Sequence, residues 1–128
     1  MDEMELTNNT IDNLIDALCA SGVPFARDVW YDENNQLDGK DYGVVELTGA
    51  PVSLWGDDGL VEQNIRGNVV LYVHDGNDGT AKAVQDILKA QDIGFQLTGT
   101  SYLTVQRLTR WIWRFDMSVY LNGEAARN

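Results

Sequence analysis

Residues 110–121 read RWIWRFDMSVYL, and their spacing decides the fold. Trp111, Trp113, Phe115, Met117, Val119 and Leu121 occupy every second position, with Arg110, Arg114, Asp116 and Ser118 among the alternate ones. A helix would spread six such side chains around its circumference. Only an extended strand, whose side chains alternate between two sides, puts all six on one face. Burying them is worth on the order of 10 kcal/mol before conformational entropy is subtracted, at about 1.5–3 kcal/mol per large side chain. The segment predicts a strand that forms half of a core and needs a covering layer.

A second long alternation runs from Glu62 to His74. Ile65, Val69, Leu71 and Val73 share one face, and Arg66, Asn68, Tyr72 and His74 share the other. Gly67 interrupts the apolar side, which predicts a bulge or a close backbone approach. Asp41 to Thr48 reads as a strand supplying Tyr42, Val44, Val45 and Leu47 to both faces, and Val52, Leu54 and Trp55 predict a further short strand after the Gly49–Pro51 turn. Phe95 and Leu97 begin another, and Ser101 to Gln106 either continue it or form the return connection. A short extended stretch is expected over Ala26–Tyr31, with Val29 and Tyr31 on one side and Trp30 on the other.

Two helices complete the set. Thr10 is placed as an N-cap, followed by an apolar stripe of Ile11, Leu14, Ile15 and Leu18 and a terminating Gly22. Thr80 is placed as the cap of the second helix, which carries Ala81, Val84, Ile87 and Leu88 on one face and ends near Asp92–Gly94. Residues 32–40, DENNQLDGK, are rich in turn formers and predict an exposed loop. The order gives an α+β fold in a single domain spanning residues 1–128: an antiparallel sheet of about five strands with two helices packed on one face.

A chain of 128 residues with 44% hydrophobic content can enclose a core without disulfides or metals. Cys19, the single cysteine, falls on the first helix and is expected to pack as a small apolar side chain. The acidic start, MDEMELTNNT, lacks the basic and apolar regions of a secretory signal, and no apolar run is long enough to span a bilayer, so the expectation is no membrane association and a cytoplasmic origin. A net charge of −11 with nine scattered basic residues argues against an ordinary nucleic-acid-binding face, which needs clustered Lys and Arg.

Candidate chemistry is sparse. His74 beside Asp75 invites a catalytic or metal-binding reading, but no Ser, Cys or second His lies close in sequence to build a triad, and a polar residue at a strand end accounts for it. Asp75-Gly76-Asn77-Asp78-Gly79 has the composition of a calcium loop without its spacing, since an EF-hand loop would need an acid where Gly79 stands and glycine where Thr80 stands. One Cys and one His cannot make a zinc site, and no phosphate-binding glycine loop is present. The expectation is no catalytic residue, no metal and no cofactor. Of the four tryptophans, Trp111 and Trp113 belong to the core by register; Trp30 and Trp55 adjoin turn-rich segments and fit either a core or a subunit contact.

The order of elements resembles that of the tail terminator, or tail completion, proteins of long-tailed phages. The resemblance rests on an amino-terminal helix, the Val23-Pro24-Phe25 exit, a loop, and the Tyr42-Gly43-Val44-Val45 strand. It continues in a long strand ending Leu71-Tyr72-Val73, a helix at Thr80–Gln91, and the closing Trp113-Arg114-Phe115 strand. It implies a virion structural protein without enzymatic activity: a hexameric ring in the neck that caps the tail tube, meets the tube protein and the head–tail connector proteins, and passes DNA through its channel. An acidic channel wall would then repel phosphate. Under this reading Asp32–Lys40 and Ala50–Asn64 are loops that contact neighbouring subunits or the tube, with Trp30, Tyr31 and Trp55 as anchors. The alternative is a small acidic monomer that inhibits a basic partner by mimicking DNA.

Overall fold

The computed structural model describes residues 3–28, 40–57, 59–74, 78–91 and 93–120. In chain order the elements are α1 (Glu3–Cys19), β1 (Phe25–Arg27), β2 (Tyr42–Leu47), β3 (Val52–Gly56), β4 (Gly59–His74), α2 (Asp78–Ala90), β5 (Gly94–Leu103) and β6 (Leu108–Tyr120). The class is α+β, as the alternations predict, and the described residues form two helices and one sheet of six strands, five of them in the order β1-β2-β4-β6-β5. β3 joins β4 along the same edge as β2: β2 takes residues 67–72 of β4, β3 takes residues 59–64, and β6 runs along the other edge.

The sheet is mixed rather than purely antiparallel, because β1 runs parallel to β2. Phe25 explains the pairing. Its ring fills the space above Gly43, where a Cβ would collide with it, while Gly43 N–H donates to Pro24 O (2.9 Å) and Asp28 N–H to Val45 O (2.8 Å). These bonds fix the parallel register.

β4 and β6 form the centre, with thirteen residue pairs running from Glu62↔Tyr120 to His74↔Leu108. Ile65, Val69, Leu71 and Val73 of β4 and Trp113 and Phe115 of β6 are buried on one face with Val45 of β2, Ile11, Leu14 and Leu18 of α1, and Ala81, Val84 and Leu88 of α2. Both helices therefore cover the face that the alternation marks as apolar. Trp111, Met117 and Val119 pack partly buried against this core; Leu121 lies outside the described residues. At Gly67 the close approach is realised, since a Cβ would stand 2.8 Å from Phe115 Cζ and also meet the Glu46 carbonyl. The Phe115 ring uses the room that a larger residue would take.

Three local expectations need correction. Thr10 does not cap α1, which starts at Glu3; its hydroxyl donates back to Leu6 O (2.7 Å) from inside the helix. The helix extends because Leu6 and Thr7 continue the buried stripe of Ile11, Leu14 and Leu18 by one turn, and Glu3 and Glu5 favour its positive end. Thr80 likewise sits inside α2, two residues after its start at Asp78. Cys19 is exposed, not packed: it follows the buried Leu18 and is rotated off the docking stripe at the helix end. Gly22, with φ of +91°, does take the left-handed conformation after α1.

Candidate interaction surface

β3 stands out because its side chains are those of a core strand in an uncovered position. Val52, Leu54 and Trp55 are 63%, 58% and 56% exposed, and Val61 on the facing strand is exposed as well. The segment Ala50–Asn64, expected as a loop, is instead the β3–β4 hairpin with the start of β4, its register shifted at Leu54/Trp55. Trp55 is thus held on a strand, projecting to solvent and absent from the core. Trp30 and Tyr31, with residues 32–39 of the expected contact loop, lie outside the described residues.

A buried polar knot anchors this hairpin to α1. Gln63, 1% exposed, accepts from the Thr7 hydroxyl at Oε1 (2.6 Å) and donates from Nε2 to Glu3 O (3.3 Å) and Ser53 Oγ (3.3 Å), while Ser53 Oγ donates to Glu3 Oε2 (2.7 Å). Gln63 falls on the apolar face of β4, where an unsatisfied amide would be costly; the knot satisfies it and fixes β3 against the first turn of the helix. Position 63 stands in register with the apolar positions, which is the signal that could have revealed it.

The opposite face of β4 and β6 is polar toward one end. Arg66 Nε lies 3.4 Å from Asp116 Oδ2 and donates to Asn64 Oδ1 (2.9 Å); Asn64 Nδ2 donates to Asp116 Oδ1 (2.6 Å), and Asn68 Nδ2 to Glu46 Oε1 (3.2 Å). Toward the other end the Tyr42 and Tyr72 rings stack with centroids 4.7 Å apart. Burial, and secondarily Tyr72, raises the pKa of the Tyr42 phenol above its ordinary 10.0. His74, on the same face, donates its backbone N–H to Asp41 Oδ1 (2.9 Å), which also lies 3.4 Å from Nδ1, a carboxylate 33 residues earlier; Asp75 lies outside the described residues.

Among the described residues no group of three or more His, Cys, Asp or Glu could hold a metal ion, and no helix is long and apolar enough to cross a membrane. The central part of the calcium-like segment, residues 75–77, lies outside the described residues.

The basic residues are less scattered than the sequence suggests once β5 and β6 are paired. Residues 93–115 hold Arg107, Arg110 and Arg114 and no carboxylate, which leaves −14 for the rest of a chain whose total is −11. Arg110 and Arg114 flank Ile112 on the face away from the helices, opposite Ser101 and Gln96, and Arg107 sits in the connecting turn with φ of +57°. α1, by contrast, carries Glu3, Glu5, Asp12 and Asp16 and no basic residue.

No family model and no curated protein sequence matches the chain.

Proposed function

We propose that the chain is a structural, ring-forming subunit of the phage tail terminator type, which caps a tail tube and joins it to the head with a channel for DNA. The observation that supports this most is the β3 edge: three large apolar side chains, Val52 and Leu54 on one face of the strand and Trp55 on the other, stay exposed while the Gln63–Thr7–Glu3 knot ties the hairpin to α1. Large apolar side chains left exposed on a strand of a strongly charged chain mark a protein–protein contact, and a tryptophan is a favoured anchor.

Light scattering coupled to size exclusion across a concentration series, followed by capture on purified tail-tube protein, tests the proposal. A particle of about six subunits, or capture by the tube, is expected, as closed cyclic symmetry requires. Trp55→Ala should leave the fold within about 0.5 kcal/mol, because the ring is largely exposed, and should abolish assembly or capture. Retention of both by Trp55→Ala and by Trp30→Ala would defeat the assignment of these anchors.

One observation favours the second reading, an acidic monomer that binds a basic partner: Glu5, Asp12 and Asp16 share the outward stripe of α1. Tight capture of cationic proteins by a monomer at low salt, lost on screening, would support it over the ring.

A further inference from the structure

We draw no further inference here: the strongest candidate, the apolar surface patch that Leu97 and Tyr102 leave exposed on the helix side of the edge strand β5, carries nothing because nothing in the structure shows what covers it.

Discussion

β4 and β6 present two faces built from the same thirteen residue pairs, and the faces are held by different physics. On the helix side, Ile65, Val69, Leu71, Val73, Trp113 and Phe115 are each at most 1% exposed, so their contribution is removal of apolar area from water and close packing, which tolerates no gap or excess. On the other side Arg66, Asp116, Asn64 and Arg114 meet water, and the ion pair and amide bonds there replace solvent contacts of similar strength. The same backbone ladder therefore has one side on which nearly every atom is constrained and one that, apart from the buried Val70 and Leu108, is open to evolve a surface. Mutational sensitivity should divide along that line.

The largest expected effect is at the centre of the constrained side. Phe115→Pro removes a ladder donor from a strand flanked by both β4 and β5 and deletes a ring packed over Gly67; the chain should fail to fold, seen as loss of the near- and far-ultraviolet dichroism of the parent. A native-like spectrum would mean that the central strand does not carry the core. Next comes the single polar intrusion on that side. Thr7→Val removes the hydroxyl that donates to the buried Gln63 and should lower the unfolding free energy by about 1–3 kcal/mol in urea titrations, although the two side chains are nearly isosteric. An unchanged midpoint would show that Gln63 finds another donor.

The remaining tests probe the second face. Above pH 10.0 the unfolded chain releases the Tyr42 proton before the folded one does, because burial raises the folded value. This part of the stability is therefore intact below 10.0 and declines as pH rises from there toward the raised folded value. Urea midpoints at about pH 9 and about pH 11 should differ less in Tyr42→Phe than in the parent, and equal differences would refute the shift. The smallest effect is expected for Asp116→Ala, which breaks an exposed ion pair and should change stability by no more than about 0.5 kcal/mol, measured the same way. A loss several times larger would make the polar face a structural element in its own right.

Much of this division was legible in the sequence. Period-two alternation in residues 62–74 and 110–120 identified both long strands and the face the helices cover, and Gly67 was marked as a place of close approach. The helix starts were misplaced because Thr10 and Thr80 have the chemistry of caps, while tertiary packing of Leu6 and Thr7 drew α1 out by a further turn. Parallel pairing of β1 was invisible, since it depends on the Phe25 ring meeting Gly43 eighteen positions later. Trp55 was open between core and surface on sequence grounds, because a short apolar strand reads the same whether or not a layer covers it; only the sheet order shows that β3 lies at an edge. The charge division was readable as an acid-free window, but its meaning required knowing that the window forms one end of the sheet.

The long pairing of β4 with β6 also dictates when the molecule can become itself. β6 is made 34 residues after β4 ends, with α2 and β5 between them, and the first turn of α1 is tied to Gln63, 56 residues beyond Thr7. A chain emerging from the ribosome thus holds Ile65, Val69 and Leu71 in a strand with one open side until β6 arrives. Contacts of such sequence separation form slowly and leave intermediates prone to mispairing. Folding should accordingly be a late, concerted event, and the time for which β4 waits sets the window in which chaperones are needed.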